Sequence, residues 1–420
     1  MLLRISSRLC RNQHITRGIA ISQRNLSNLK EKRADDVVIT FVKRTAIGRA
    51  KKGQFKDTPV DELLSSLLKA TFEETKIDPS KLEDIVVGTC HPPSPLYISR
   101  SAALSAGVPS HVPIQVINRL CSSGLMAMRS VAHAIQVGDI SFGLAIGVES
   151  MSLHPRPTPE LSATISQNPQ AHDCIQPMGW TSEMVAQAYN ISREKQDEYA
   201  LISHTRAARA ASENIFADEI IPITVQASPN SGETVRVSKD DTIRPGVSSD
   251  SLAKLQPVFP NWGNAYTTAG NASGVGDGAA IAILTTRQRA EKEGWNIAAK
   301  WGGCVVVGVE PRHMGIGPVF AIPRILEKTG LNKDDVDVWE INEAFASQFA
   351  YCIEELNIPM EKTNINGGSI ALAHPLGMTG VRLVATGLAE LKRRDEDILC
   401  TSMCVGSGMG AAAIFVNERP

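Results

Sequence analysis

A short apolar run that ends at a cysteine and turns at once into a helix constrains this chain more than any other stretch. Val116-Ile117 closes a β-rich segment at Asn118-Arg119, and Cys121 follows. Ser122-Ser123-Gly124 then opens a segment whose apolar residues Leu125, Met128, Val131, Ala132 and Ile135 keep a helical period as far as Gly138. The pattern reads as strand, sharp turn, helix, with a thiol at the helix N-terminus. Unpaired backbone N–H groups and the helix dipole at such a position favour the thiolate. The alternative fate of an isolated cysteine is burial in a core.

The same rhythm extends along the chain. Val37–Val42, Asp84–Thr89 and Phe142–Val148 read as buried strands. Helical stretches lie between them, one behind Thr58-Pro59 with Leu63, Leu64, Leu67 and Leu68, another over Ile98–Ala106. Residues 151–260 break the pattern: they are rich in Pro, Ser, Asn and Gln and hold one clear helix, Arg193–Asn214. A long irregular region of this kind usually covers a site. The strand signal resumes at Gly278–Thr286, and a charged patch, Arg287–Glu293, follows it. A second series then runs through Trp295–Val309, Ile322–Lys328, Val336–Ile341, Glu343–Leu356, Gly380–Arg394, Ile398–Met403 and Ala411–Val416. Strands alternating with helices predict an α/β protein with a mostly parallel, covered sheet. The units expected are a presequence (1–34), an N-terminal domain (35–289, with the loop region at about 151–260) and a C-terminal domain (297–420).

Charge separates the head from the body. Residues 1–30 carry Arg4, Arg8, Arg11, Arg17, Arg24 and Lys30 and no acid, although the whole chain has a net charge of −1. Arg4, Arg8 and Arg11 share one helical face, and Ile5 and Leu9 another, which predicts a mitochondrial presequence and a matrix location. The alternative is a peroxisomal N-terminal signal, since Arg8-Leu9 is followed by His14-Ile15. The near-neutral total implies neither nucleic acid nor membrane as a partner. Eight scattered cysteines without paired spacing read as reduced thiols, and no cluster suggests a metal.

Three further motifs carry chemistry. Asn342-Glu343-Ala344-Phe345 lies where a strand passes into a helix. Gly367-Gly368-Ser369-Ile370-Ala371-Leu372-Ala373-His374-Pro375-Leu376-Gly377 is a glycine-rich loop around an imidazole. Cys404-Val405-Gly406-Ser407-Gly408-Met409-Gly410 sits between two strands. The last run lacks the helix that a dinucleotide loop requires. A base for a thiol, a second proton-transfer group and oxyanion donors are the parts of an acyl-transfer site. Each residue alone has a plainer reading: His374 as a satisfied loop histidine, Asn342 as a helix cap.

Taken in order, these motifs with Gly147-Val148-Glu149-Ser150-Met151 and Thr268-Ala269-Gly270-Asn271-Ala272-Ser273 resemble the thiolase family from about Asp35 to the C-terminus, most closely its peroxisomal-type 3-ketoacyl-CoA members. The resemblance implies a thiolase-like fold, two similar five-stranded βα halves in an αβαβα layered arrangement with an inserted loop domain. It also implies cleavage of a 3-ketoacyl-CoA by CoA, with acetyl-CoA acetyltransferase activity or a non-catalytic acyl-CoA-binding role as alternatives. Cys121 would be the nucleophile, His374 its base and an oxyanion donor, Asn342 the holder of a water, and Cys404 the second acid/base. The N–H groups of Cys121 and Gly406 would form a second oxyanion hole. Ser273 would touch coenzyme A, and Met314 would lie near the acyl pocket. Coenzyme A enters as co-substrate, no metal or other cofactor is implied, and the expected assembly is a homodimer. Ala373 stands where the family usually has glycine.

Overall fold

The computed structural model describes residues 29–229 and 231–418. Its N-terminal half runs β1 (Val37–Arg44), α1 (Val60–Thr75), β2 (Asp84–Gly88), α2 (Pro95–Ser105), β3 (Ile114–Ile117), α3 (Ser123–Val137) and β4 (Phe142–Ser150). The intervening region contains α4 (Met178–Ala188) and α5 (Arg193–Ser212), and β5 (Gly276–Thr286) completes the half. The C-terminal half runs β6 (Ala299–Gly308), α6 (Gly317–Thr329), β7 (Val338–Ile341), α7 (Ala346–Leu356), α8 (Leu376–Arg394), β8 (Ile398–Val405) and β9 (Met409–Asn417).

The two halves repeat one topology. In the first, the strand order is β3-β2-β4-β5-β1; in the second it is β7-β8-β9-β6, and β6 joins β1 at two residue pairs. A lone parallel bridge from Thr363 to Trp339 of β7 stands where β3 lies in the first half. The second half therefore has four full strands rather than five. Among the named strands of the described residues, pairing is parallel within β3-β2-β4 and between β7 and β8 and antiparallel elsewhere, so the sheet is mixed rather than mostly parallel. The cause is local: β8 and β9 are joined by the turn at Gly406–Gly408, and so short a link permits only antiparallel neighbours.

Three apolar clusters define five layers. Leu63, Leu64 and Leu67 of α1 pack with Ala102 of α2 on Leu144, Ile146 and Ile281 of the first sheet. Leu125, Met128 and Val131 of α3 meet Val381, Val384 and Leu388 of α8 between the two sheets. Ile322 and Ile325 of α6, with Phe349 and Ile353 of α7, cover Trp339, Ile341 and Ile414 on the far side. The periodic positions of α3 seen in the sequence are its buried face, and Gly138 closes the helix at φ 83°.

Three further expectations change. Residues 1–28, most of the expected presequence, lie outside the described residues. The rest of it, from Leu29, packs on the body. Leu29 is fully buried with Trp339 and Ile398, Lys30 pairs with Asp397 at 2.5 Å, and Lys300 Nζ donates to the Glu31 carbonyl at 2.5 Å. The charged patch Arg287–Glu293 is a helix, capped by the Thr286 hydroxyl at the Arg289 N–H. The irregular region also holds α4 and a separate hairpin, Ile223–Gln226 with Thr234–Val237.

Candidate active site

Glycines let the two central helices meet at their N-termini. A Cβ on Gly124 of α3 would lie 2.5 Å from the Gly377 carbonyl oxygen, and one on Gly380 of α8 would lie 2.3 Å from the Leu125 nitrogen. Cys121 precedes α3 and His374 precedes α8, so this close approach brings the thiol and the imidazole to the same place. Glu149, wholly buried at the end of β4, ties the parts together. It accepts from Gly377 N–H at 2.9 Å and from the N–H groups of Cys90 and His91 at 3.1 Å each.

The turn that presents Cys121 is held tightly. Leu120 has φ 44°, a strained value for its residue type, and its N–H donates to the Asn118 side chain at 2.9 Å. Ser123 Oγ donates to the Leu120 carbonyl at 2.7 Å and accepts the Arg119 N–H at 2.9 Å. Burial pushes the Cys121 thiol above its ordinary pKa, against the pull of the Gly406 N–H and its own N–H on the sulfur. The helix terminus by itself therefore does not yield a standing thiolate, contrary to the expectation from the turn alone. A base is required.

His374 is held so that one ring nitrogen keeps a lone pair. Its Nδ1 lies 2.7 Å from Thr379 Oγ1, whose own proton is committed to the Pro375 carbonyl at 2.8 Å. Nδ1 must therefore carry the hydrogen. Its Nε2 lies 3.3 Å from Asn342 Nδ2, a group that can only donate. Both contacts leave Nε2 with a lone pair. Burial first, and then the charge of Arg382, push His374 down to about 3, so the imidazole is neutral at rest.

Asn342 is not a helix cap. The cap residue of α7 is Phe345, and the Asn342 N–H bonds the Ser402 carbonyl at 2.9 Å. Its side-chain oxygen instead accepts from Ser369 Oγ at 2.6 Å. Cys404, at the end of β8, is buried in a small cluster with Met314 and Ala344. Burial, reinforced by the neighbouring Cys121, pushes its thiol well above its ordinary pKa. Gly406 follows in the turn where Ser407 and Gly408 take φ 61° and 92°. The Ser273 N–H bonds the Ala344 carbonyl at 3.0 Å, which anchors that loop beside Asn342-Glu343-Ala344-Phe345. All seven residues singled out in the sequence thus fall around one place.

The sequence reading missed the supports. Thr379, Arg382 and Glu149 were assigned no role, although Arg382 interrupts an otherwise apolar helical run, Val381–Val384. A charged residue on a buried helix face needs a partner, and that requirement could have pointed to it.

The site and the paired halves define a thiol-dependent acyl-transfer protein. Two family models match, the thiolase N-terminal domain over residues 37–288 and the thiolase C-terminal domain over residues 295–417. The chain belongs to the thiolase family. It is 48% identical to the rat peroxisomal 3-ketoacyl-CoA thiolase B over 387 residues, 91% of each chain. It is 47% identical to the human peroxisomal 3-ketoacyl-CoA thiolase over 395 residues, 93% of each. Among solved structures, the dimeric peroxisomal thiolase of Saccharomyces cerevisiae superposes with a TM-score of 0.88 at 43% identity, covering 93% of this chain and all of that one. The layered α/β arrangement described above is that of the thiolase fold, whose five-layered α-β-α-β-α construction is reported for the yeast enzyme.

Proposed function

We infer that this chain is a 3-ketoacyl-CoA thiolase, an acetyl-CoA C-acyltransferase that cleaves 3-ketoacyl-CoA with CoA in fatty acid β-oxidation. The observation that carries the reading is the pair of buried thiols, Cys121 beside the Gly406 N–H and Cys404 next to it, with a neutral His374 held by Asn342 and Thr379. One thiol serves as nucleophile and the other as proton carrier.

In the mechanism we propose, His374 Nε2 takes the Cys121 proton and the sulfur attacks the C3 carbonyl of the substrate. The N–H groups of Cys121 and Gly406 receive the charge that builds on the C3 oxygen. The C2–C3 bond then breaks, and the enolate oxygen of the departing acetyl-CoA meets the Nε2–H that His374 now carries, with a water held by Asn342. Cys404, a weak acid because of its burial, gives its proton to C2. A second CoA thiol loses its proton to the Cys404 thiolate and attacks the acyl-cysteine; the C3–sulfur bond to Cys121 breaks, the shortened acyl-CoA leaves, and Cys121 takes back its proton from His374. Removing one oxyanion donor in such a site typically costs ~10²–10³ in rate.

Substrate binding is proposed at a cavity of about 250 Å³ that reaches Gly274 and Ala373 and is lined by Arg49, Lys52, His204 and Arg244. Its basic side chains suit the phosphates of coenzyme A, and Ser273 lies next to it in the chain. Met314, against Cys404, would border the acyl chain. The assembly we propose is a homodimer. Tyr97, 77% exposed, projects with Leu96 and Leu104 from α2 beside the open edge of β3. For location we propose the peroxisome, since the relatives named above are peroxisomal proteins; nothing in those names favours the mitochondrial matrix expected from the basic head. A reporter carrying residues 1–35 that collects in mitochondria would reverse that choice.

The test of function is loss of the magnesium-enolate absorbance of medium- and long-chain 3-ketoacyl-CoA on addition of CoA. Thiolysis across chain lengths is expected. Activity confined to acetoacetyl-CoA would make the protein an acetyl-CoA acetyltransferase, and none at all would leave an acyl-CoA-binding protein.

A further inference from the structure

We propose that Ser369 and Arg382 are positioning residues that set the orientation of the Asn342 amide, so that its NH₂ rather than its oxygen faces the lone pair of His374 Nε2. The inference rests on the thiolase reading for its kinetic consequence but not for its structural one.

The argument follows hydrogen-bond polarity outward from a group whose protonation never changes. Arg382, on α8 and 1% exposed, is a donor at every nitrogen and accepts nothing. Its Nη2 lies 2.9 Å from Ser369 Oγ, so the serine oxygen must accept there. Ser369 is fully buried and has a single proton left to place. That proton goes to Asn342 Oδ1 at 2.6 Å. An amide whose oxygen is claimed on one side can present only its NH₂ on the other, and that side faces His374 Nε2 at 3.3 Å. Rotating the amide by half a turn would set NH₂ against the serine hydroxyl and oxygen against the imidazole. The serine proton would then have no acceptor, and Nε2 would gain a partner only by holding a hydrogen.

Arg382 is itself anchored. Its Nη1 pairs with Glu340, on β7, at 3.3 Å. The loop that carries Ser369 is pinned by Glu343, which accepts from Ile370 N–H at 3.2 Å and from Ser203 Oγ at 2.6 Å. A Cβ on Gly368 would fall 2.3 Å from the Glu343 carboxyl carbon, so glycine is needed for that loop to lie so close. The chain of donors therefore runs from α8, through the glycine-rich loop, to the end of β7. Ser369 stands 13 residues before Arg382 and 27 after Asn342 in the sequence.

The test combines kinetics with a direct view of the ring. Ser369→Ala should lower kcat ~10–100-fold, a fraction of the loss typical for a missing oxyanion donor, while KM for CoA stays within about twofold. In an Asn342→Ala background the same change should have no further effect, because Ser369 acts only through the amide. Nitrogen-15 spectra of histidine-labelled protein should report the Nδ1–H form of His374 in both proteins, with the Nε2 resonance shifted in Ser369→Ala as that nitrogen loses its fixed amide donor. Arg382→Lys, which keeps a donor and a charge for Glu340, tests the outer link if Arg382→Met fails to fold; it should reduce kcat less than Ser369→Ala does. A Ser369→Ala enzyme with wild-type kcat, an equal loss in the Asn342→Ala background, or an Nε2–H wild-type ring would each overturn the proposal. Absence of thiolysis in the wild type would instead remove the reading of function, and the histidine spectra would still decide the tautomer.

Discussion

Replacing Gly380 by alanine tests whether the meeting of α3 and α8 is what assembles the site. A Cβ at this position would sit 2.3 Å from the Leu125 nitrogen and 2.9 Å from its Cβ, where ordinary contact begins near 3.4 Å. The helices must therefore separate by about 1 Å, and a backbone nitrogen cannot swing aside as a side-chain tip can. Two terms set the stability. Alanine is favoured over glycine inside a helix by ~1 kcal/mol, and overpacking a filled core costs ~1–3 kcal/mol. A net loss of up to about 2 kcal/mol is expected. The effect on rate should be larger in proportion, because a displacement of ~1 Å at a reacting pair can cost ~10²-fold. Thiolysis kcat would be measured beside chemical denaturation of the same preparations. Gly308→Ala is the control, since a Cβ there meets nothing within 4 Å. A Gly380→Ala enzyme with wild-type kcat would refute the view that this glycine contact sets the thiol–imidazole geometry.

Other outcomes follow from the same geometry. Ala373, at φ 73° and ψ 173°, occupies backbone space that normally belongs to glycine. Ala373→Gly should keep kcat within about twofold, and Ala373→Val should lose stability and activity together, as denaturation and thiolysis assays would show. Because His374 is held near 3 in the fold against 6.5 when free, the unfolded chain binds more protons between those values. Stability should therefore fall as pH drops below 6.5, by up to ~1.4 kcal/mol per pH unit from this group. Urea midpoints of His374→Gln should lack that component. Cys121→Ala should abolish labelling by dilute iodoacetamide, and equal labelling of the wild type and the variant would mean that Cys121 is not the activated thiol. Cys404→Ser should slow both half-reactions in stopped-flow assays while CoA still binds.

The order of strands and helices was legible because each element carries its own apolar period, as α3 does in Leu125, Met128, Val131 and Ile135. Pairing direction was not. Whether β5 meets β4 and β1 in parallel or antiparallel is settled across long connections, and alternation alone does not encode that. The candidate residues stood out because a cysteine, a histidine and an asparagine each close a strand or precede a helix, the first two beside glycines. Their supports were hidden for the opposite reason. Thr379 and Arg382 lie within a helix, and Ser369 within a loop already noticed for its glycines; Arg382 and Ser369 have their roles only through partners on other elements, and Thr379 only through the turn that brings His374 back onto it. Leu29 shows the limit of composition: the positive charge around it suggested a detachable head, yet its apolar side chain is part of the core.

The shared topology of the halves also has a consequence in time. The proposed nucleophile belongs to the first half, its proposed base and the second thiol to the other, and Cys404 follows Cys121 by 283 residues. At a synthesis rate of ~5–20 residues per second, roughly 15–60 s separate the emergence of the two thiols. During that interval Cys121 has neither His374 to take its proton nor the Gly406 N–H beside its sulfur. The set of groups proposed to act on it is therefore complete only when the second half docks.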